Sequence, residues 1–207
     1  MMQRESSVCH IVGAGDFDAR LLTLHEGDLV LAADGGLARL AKAGLTPHRI
    51  LGDMDSLGFV PQGDNVTLLP KEKDVTDLFA AVEEGLALGF RRFFLYGALG
   101  GRRFSHSLAN LSLLLSLCER GLEGKILDPL CTVTCLGVGT HRPITGERRY
   151  LSLFAAKEDT VLSVENAKYP LAEHPLSPSF ALGVSNEGDE STVVTVHRGA
   201  AFAVLDG

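Results

Sequence analysis

The sequence lacks the features that mark several classes of protein. Its 19 Lys and Arg are outnumbered by 26 Asp and Glu, and a net charge of −7 argues against a general nucleic-acid binder. A long apolar run, 111–117, contains two serines and is far short of the ~20 residues that span a bilayer. The four cysteines form no CxxC pair, which argues against a disulfide framework or a zinc site. The apolar run at 8–12 is too short for a signal-peptide core, so we expect a cytoplasmic protein.

The first part of the chain alternates between strand-like and helix-like segments. The strand-like runs are residues 8–12, 29–33 and 92–96. The segments with helical spacing of apolar residues are 37–41, 75–86 and 108–118. This alternation predicts an α/β N-terminal domain with a mainly parallel sheet.

From about residue 127 onward, helical periodicity disappears and short β-rich runs replace it. They are 132–136, 150–154, 160–164, 180–184, 192–196 and 201–205. Strands at this spacing predict a smaller all-β sandwich. We therefore expect two domains, residues 1–130 and residues 131–207. Apolar residues on both faces of the last two runs are typical of a subunit interface or of a strand buried on both sides.

Two aspartates, Asp53 and Asp55, follow the short apolar stretch Ile50-Leu51. At positions i and i+2 on a strand end they face the same side, with Cα atoms about 7 Å apart. Both carboxylates can then approach one hard cation. The alternative is ordinary turn chemistry, because Gly, Asp and Ser are common loop formers.

A second acidic cluster, with Lys73, Asp74 and Asp77, stands at the start of the helix expected at 75–86. In a structural interpretation Asp74 is the N-cap and Asp77 favours the helix dipole. In a functional interpretation Asp77 and Asp74 join the first pair, and Lys73 holds phosphate. Carboxylates and basic residues at strand and helix ends predict a Mg²⁺–nucleotide site, because Mg²⁺ commonly uses one or two carboxylates together with substrate phosphates.

A glycine-rich run at 97–101 leads through Arg103 to His106 and Asn110. It follows a strand and precedes a helix, an arrangement that lets the backbone approach an anion. The final Gly-Lys-Ser/Thr of a Walker motif is missing, and Gly13-x-Gly15 is an incomplete dinucleotide fingerprint. His106 and Asn110 share a helix face, and a capping or core role for His106 stays open beside a ligand role.

Together these clusters resemble the thiamine pyrophosphokinase family. That family's pattern has Ala-Asp-Gly-Gly, then Pro-x-x-Ile-x-Gly-Asp-x-Asp-Ser, then Lys-Asp-x-Thr-Asp, then Gly-Gly-Arg-x-Asp-His with a following Asn. The similar segments here, including three C-terminal ones, are 33–36, 47–56, 73–77, 101–110, 152–154, 167–171 and 184–187. The resemblance covers nearly the whole chain, with the motifs in the right order.

The resemblance implies a homodimeric enzyme that transfers pyrophosphate from ATP to the thiamine hydroxyl, giving thiamine diphosphate and AMP. Residues 1–130 would form the nucleotide-binding catalytic domain and residues 131–207 the thiamine-binding domain, with thiamine bound where the two domain types meet across subunits. The implied metal is Mg²⁺ on Asp53, Asp55 and Asp77, and the implied catalytic carboxylates are Asp53, Asp55, Asp74 and Asp77. The nucleotide candidates are Gly13, Asp16, Asp34, Gly35, Lys73, Arg103, His106 and Asn110. The thiamine candidates are Tyr169, Ser185 and Asn186.

One position departs from the family's pattern, because Ser105 stands where an Asp is expected. Either a substrate-facing carboxylate is lost, or Ser105 simply caps a helix that begins near His106, which Ser and Asp do about equally well. Two alternative functions also stay open: a pyrophosphokinase of the same architecture acting on a pterin-like alcohol, and a non-catalytic sensor of nucleotide or thiamine. The presence of both acidic pairs favours the enzyme.

Overall fold

The computed structural model describes residues 6–55, 58–70, 72, 74–101, 103–144 and 150–206. Lys73, the candidate for phosphate, lies outside the described residues. The fold is α/β, with strands that pair in both parallel and antiparallel directions. Contacts divide the chain into a first unit, Met1–Leu113 with Leu122–Pro129, and a second unit, Leu114–Gly121 with Leu130–Gly207. Within the described ranges, no helix is both long and apolar enough to cross a membrane.

The first unit alternates strands and helices. Its strands are β1 (Val8–Val12), β2 (Leu29–Ala33), β3 (Arg49–Gly52), β4 (Val66–Leu68), β5 (Arg92–Tyr96) and β6 (Glu123–Leu127). Its helices are α1 (Gly36–Lys42), α2 (Asp77–Ala87) and the first part of α3 (Phe104–Glu119), with a 3-10 turn at Ala19–Leu21. The strand-like runs predicted at 8–12, 29–33 and 92–96 are confirmed as β1, β2 and β5.

The strands of the first unit pair in parallel, in the order β4-β3-β2-β1-β5-β6. Every residue of the central strand β1 is buried, which is why its sequence is a continuous rather than an alternating apolar run. Because neighbouring strands run the same way, their carboxyl ends meet at one edge of the sheet, where ligands of α/β proteins bind. The residues that follow β1, β2, β3 and β5 are therefore brought together at that edge.

Two helices begin at residues other than those predicted. Helix α2 begins at Asp77, because the hydroxyl of Thr76 accepts a hydrogen bond from the Phe79 N–H at 3.2 Å and caps the helix. Asp74 is therefore not the N-cap. Helix α3 begins at Phe104, which places Ser105 inside its first turn. The capping explanation for Ser105 is therefore wrong, because the helix has already begun one residue earlier.

The second unit is built from antiparallel pairs. Its strands are β7 (Cys131–Leu136), β8 (Gly139–His141), β9 (Tyr150–Ala155), β10 (Val161–Ala167), β11 (Leu171–Pro175), β12 (Gly183–Arg198) and β13 (Ala201–Asp206). Strand β13 lies between β7 and β9, β12 pairs with β8, β9 and β10, and β10 also pairs with β11.

Strand β12 differs most from the prediction. The runs 180–184 and 192–196 were predicted as separate strands, but β12 is continuous over 16 residues. Its beginning pairs with β9 and its later part with β10 and β8, so this single strand takes the place of the two predicted ones. Phe180 instead forms an isolated bridge with Ser177.

The last strand, β13, alternates between two environments. Ala201, Ala203 and Leu205 are buried in the core of the second unit, while Phe202 and Val204 are only half-buried on the opposite face. Phe202 is paired with Phe154 of β9, which is also partly exposed. Apolar side chains therefore lie on both faces of this strand.

Candidate active site

A pocket of about 460 Å³ lies in the first unit, at the edge where the parallel strands end. The lining residues are Ala14, Gly15, Ala33, Asp34, Gly35, Ala38, Arg39, Thr76, Asp77, Leu78, Gly97, Ala98, Gly100, Gly101, Arg103, His106 and Asn110. They come from the turn after β1, the β2–α1 junction, the start of α2, the loop after β5 and the start of α3. Five segments separated in sequence thus form one concave site, the usual form of a small-molecule site.

Asp34 is held in place by the end of β3. Its N–H donates to the carbonyl oxygen of Leu51 at 2.7 Å, and its φ of 46° lies in the left-handed region. A Cβ built on Gly52 would lie 2.9 Å from the Cα of Asp34, so glycine at position 52 permits this close approach. A non-glycine residue in this backbone region is strained and persists only when its surroundings enforce it. The enforced backbone brings the Asp34 side chain to the start of the Asp53–Asp55 turn.

Three carboxylates meet there. One oxygen from each of Asp34, Asp53 and Asp55 lies within 4.8 Å of the others, and the three residues are buried, half-buried and exposed, respectively. In the part of the chain that the structure describes, Oδ1 of Asp34 is buried and has no hydrogen-bond partner. A buried, unpaired carboxylate oxygen is costly unless a cation compensates it. Hard oxygen donors in this arrangement fit Mg²⁺.

The geometry of Asp53 and Asp55 differs from the predicted strand end. Strand β3 stops at Gly52, and Met54 is buried with a φ of 62°, which is not a strand conformation. The N–H of Asp55 donates to Oδ1 of Asp53 at 3.0 Å. A tight turn, and not strand alternation, brings the two carboxylates together.

The second acidic pair is split by the start of α2. Asp77, the first residue of the helix, lines the pocket together with Asp34. Asp74 is exposed and is not among the described residues that line the pocket. Asp77 is therefore the member of this pair that can meet a ligand in the pocket.

The turn after β1 is fastened to the loop after β5. Gly13 donates its N–H to the carbonyl oxygen of Tyr96 at 2.8 Å, and Gly15 donates to that of Gly97 at 2.9 Å. Asp16 continues the contact, with its N–H 3.4 Å from the carbonyl oxygen of Leu99. The nucleotide candidates Gly13 and Asp16 thus shape the pocket wall, while Gly35 lines the pocket itself.

Arg39 of α1 is a pocket residue that the sequence analysis missed. Its Nε and Nη2 groups both donate to the carbonyl oxygen of Ala14, at 3.1 and 2.9 Å. The signal was present in the spacing, because Arg39 is one helical turn beyond the candidate Gly35 and therefore lies on the same side of α1.

The candidates on α3 take different positions. Asn110 is buried, and its Nδ2 donates to the carbonyl oxygen of Ala98 at 2.6 Å, so its side chain supports the loop after β5. His106 is half-buried and Arg103 is exposed, and both line the pocket. The structure therefore brings together the basic and imidazole groups predicted from the glycine-rich run.

The three thiamine candidates lie together in the second unit. Asn186 is buried, its Oδ1 accepts the N–H of Tyr169 at 3.0 Å, and its Nδ2 donates to the Tyr169 carbonyl at 2.8 Å. Ser185 has a φ of 56° and donates its N–H to Oγ of Ser152 at 3.0 Å. Asn186 thus fixes the backbone of Tyr169, whose side chain is 58% exposed.

The chain is similar to known proteins along most of its length. Residues 21–126 match the family described as thiamin pyrophosphokinase, catalytic domain, and residues 141–200 match thiamin pyrophosphokinase, vitamin B1 binding domain. The thiamine pyrophosphokinase of Bacillus subtilis (strain 168) is 27% identical over 190 residues, which cover 88% of this chain and 85% of that protein. The crystal structure of thiamin pyrophosphokinase from Geobacillus thermodenitrificans has a TM-score of 0.81 at 27% identity, with 97% of each chain covered. The Candida albicans thiamin pyrophosphokinase shares the fold, with a TM-score of 0.78 at 14% identity over 100% of this chain and 90% of that one.

Proposed function

Because the chain belongs to the thiamine pyrophosphokinase family, we propose that its pocket binds ATP with Mg²⁺ and that Tyr169, Ser185 and Asn186 hold thiamine. The chain is an enzyme that transfers the pyrophosphate of ATP to the thiamine hydroxyl, giving thiamine diphosphate and AMP. The observation that carries the residue assignment is the buried, unpaired oxygen of Asp34, which lies in a carboxylate cluster and also lines the pocket.

Asp34, Asp53 and Asp55 would hold the metal. When bound, Mg²⁺ neutralises phosphate charge and fixes the polyphosphate. The resemblance assigned Asp77 to the metal as well, but the carboxylates that cluster within 4.8 Å are those of Asp34, Asp53 and Asp55. We therefore assign Asp77, which lines the same pocket, to the proton of the acceptor hydroxyl.

The reaction is an in-line displacement at the β-phosphorus. A bond forms between the thiamine oxygen and the β-phosphorus while the bond from that phosphorus to the bridging α,β-oxygen breaks. AMP leaves with the bridging oxygen, and the hydroxyl proton passes to Asp77. Arg103, which lines the pocket, would stabilise the charge that accumulates on the phosphates, and Lys73 stays our candidate for a second phosphate contact on sequence grounds. Positioning and electrostatics supply most of the catalysis in such transfers.

The remaining nucleotide contacts would come from the turn after β1 and the start of α1. Gly15 and Gly35 line the pocket, with Gly13 and Asp16 flanking the same turn. His106 of α3 adds a polar group that can donate or accept a hydrogen bond. Asn110 acts through the Ala98 carbonyl that it holds.

Thiamine recognition would use the exposed ring of Tyr169. The thiazolium ring of thiamine is a cation, and an aromatic face attracts cations. Asn186 fixes the backbone of Tyr169 through two hydrogen bonds, and Ser185, its neighbour in sequence, is exposed. The vitamin B1 binding domain match at 141–200 includes all three residues and favours thiamine over a pterin-like alcohol.

We propose a domain boundary near residue 130, with a mainly parallel α/β domain before it and an all-β sandwich after it. The parallel pairing of β1 to β6 and the antiparallel pairing of β7 to β13 support this division. The two family matches also end and begin on either side of that point, at residues 126 and 141. A cytoplasmic location, where ATP and Mg²⁺ are abundant, remains our prediction.

We also propose a homodimer. Tyr150 and Phe154 lie on one face of β9 and are exposed, and Phe202 of β13 lies opposite Phe154 on the same face. Such an apolar face is typical of a subunit interface. Sedimentation should show a dimer at micromolar concentration and a shift toward monomer in Phe154→Asp; a monomeric wild-type chain would contradict the proposal.

The decisive assay for function is AMP release from ATP and Mg²⁺, with thiamine, with a pterin-like alcohol, or with no acceptor. We expect AMP with thiamine only. Asp77→Asn should then lower kcat by about a hundredfold or more, as loss of a general base commonly does, whereas Asp74→Asn should have a much smaller effect. Binding of nucleotide and thiamine without AMP release would instead indicate the non-catalytic sensor, and equal losses in the two variants would contradict our assignment of the proton to Asp77.

A further inference from the structure

We propose that Arg39 is a positioning residue for ATP, holding the turn after β1 while directing its remaining N–H groups toward the phosphates. The inference rests on the proposed function in one respect, namely that the pocket binds ATP. Arg39 belongs to none of the sequence motifs, and its contacts alone point to this role.

The guanidinium of Arg39 is held in one orientation. Two of its donors, Nε and Nη2, converge on the carbonyl oxygen of Ala14 at 3.1 and 2.9 Å. Two bonds from one rigid group to one acceptor fix the orientation of the guanidinium plane more strictly than a single bond would. The other N–H groups of the fork are then held in fixed directions beside a pocket that Arg39 itself lines.

Arg39 holds the turn after β1 together with the loop after β5. On its other side, the turn is fastened by the N–H of Gly13 to Tyr96 and by the N–H of Gly15 to Gly97. Arg39 supplies the contact from α1, so the turn is held between α1 and the loop after β5. A turn fixed from two sides keeps its shape when the pocket fills, which lowers the entropic cost of binding.

Arg39 also contributes to the electrostatics of the pocket. The carbonyl oxygen of Ala14 carries partial negative charge in the wall of a pocket proposed to hold a polyphosphate. Two hydrogen bonds from a cation compensate that charge and add a net positive charge at the same place. Among the described lining residues, the carboxylates of Asp34 and Asp77 are balanced by the guanidinium groups of Arg39 and Arg103. Arg39 is the half-buried member of that basic pair, and Arg103 is exposed.

The test compares Arg39→Met with Lys42→Met, a matched loss of positive charge on the same helix at an exposed position outside the pocket lining. We expect Arg39→Met to raise the KM for ATP by about tenfold or more, equivalent to ~1.4 kcal/mol, with little change in the KM for thiamine. Lys42→Met should leave both constants unchanged. Arg39→Lys, which keeps the charge but not the fork, should give an intermediate KM for ATP.

Chemical rescue separates positioning from a merely structural role. Added guanidinium ion should partly restore the KM for ATP in Arg39→Ala, whereas sodium chloride at the same concentration should not. Equal changes in both KM values, or a lower Tm with no rescue, would overturn the proposal. If Arg39→Met and Arg39→Ala fail to fold, the KM values of Arg39→Lys are compared with those of wild type instead.

A binding readout keeps this inference separate from the proposed function. The rise in Tm on adding ATP is measured for wild type, Arg39→Met and Lys42→Met without any thiamine. A smaller rise in Arg39→Met alone supports the inference even if the wild-type chain releases no AMP. An equal rise in Tm in all three proteins overturns it even if the enzyme is fully active.

Discussion

Replacing Asp34 by Asn removes one negative charge from the carboxylate cluster and keeps the shape of the side chain. The oxygens of Asp34, Asp53 and Asp55 lie within 4.8 Å of one another. At that separation two unit charges repel by about 3.5 kcal/mol at an effective dielectric constant of about 20, and by about 0.9 kcal/mol in bulk water. Because Asp55 is exposed and Asp53 half-buried, we take the lower end, about 1 kcal/mol.

The substitution should therefore stabilise the metal-free protein. For a chain of this size, about 1 kcal/mol corresponds to a rise in Tm of about 2–4 °C. Mg²⁺ should reverse the order, because a ligand present at about 100 times its Kd stabilises the folded state by about 2.7 kcal/mol, and the variant loses much of that gain. The expected signature is a crossing: Asp34→Asn melts above wild type in EDTA and below it in Mg²⁺.

Thermal melts of both proteins in EDTA and in Mg²⁺ measure this crossing. Asp64→Asn is the matched control, since Asp64 is exposed in the loop before β4 and lies outside the cluster. Its Tm should follow that of wild type in both conditions. A Tm of Asp34→Asn below that of wild type in EDTA, together with a gain from Mg²⁺ equal to that of wild type, would refute the role of Asp34 in the carboxylate cluster.

Thiol reactivity and acid stability provide two further checks. A hydrogen bond from the Cys135 thiol lowers the pKa of Cys118 to about 7, whereas burial raises the pKa of Cys9. Iodoacetamide at neutral pH should therefore label Cys118 long before Cys9. Equal labelling of the two thiols, measured by mass spectrometry, would contradict this prediction. Burial lowers the pKa of His10 below 6.5, so the unfolded chain takes up the proton first, and the free energy of unfolding should fall as pH drops below about 6.5. The hydrogen bonds to Asp28 outweigh the effect of its burial and lower its pKa, which extends the loss of stability below pH 3.8. His10→Asn should weaken the pH dependence of the free energy of unfolding just below about pH 6.5, as measured by denaturant titrations. An unchanged pH dependence there would exclude His10 as its cause.

The elements that the sequence predicted well are those whose pattern depends on local burial. Strand β1 is buried on both faces, and its five residues form a continuous apolar run that is readable without any tertiary information. The predicted N-cap of α2 lies two residues before the observed one, because Asp74 and Thr76 are both good N-caps. Only the observed hydrogen bond from the Phe79 N–H to the Thr76 hydroxyl identifies Thr76 as the N-cap.

The membership of the carboxylate cluster depended on contacts that no local pattern encodes. Asp34 joins Asp53 only because β2 and β3 are neighbours and Gly52 allows their ends to touch. The spacing of Asp53 and Asp55 did predict that the two carboxylates would lie close together, but it did so through a strand geometry, whereas Met54 has a left-handed backbone. Pairing between strands distant in sequence therefore decides which acidic residues meet.

The position of Ser105 in α3 excludes one of the two explanations for its departure from the family's pattern. As the second residue of α3 it cannot be the N-cap, and the first turn of that helix contains no acidic residue. An aspartate there would favour the helix dipole by about 0.3–1 kcal/mol, so serine forgoes a small stabilisation. The next residue, His106, lines the pocket, and Arg103 lies just before the helix. A neutral side chain at 105 therefore adds no negative charge at the positive end of the helix, beside a site proposed to bind phosphate.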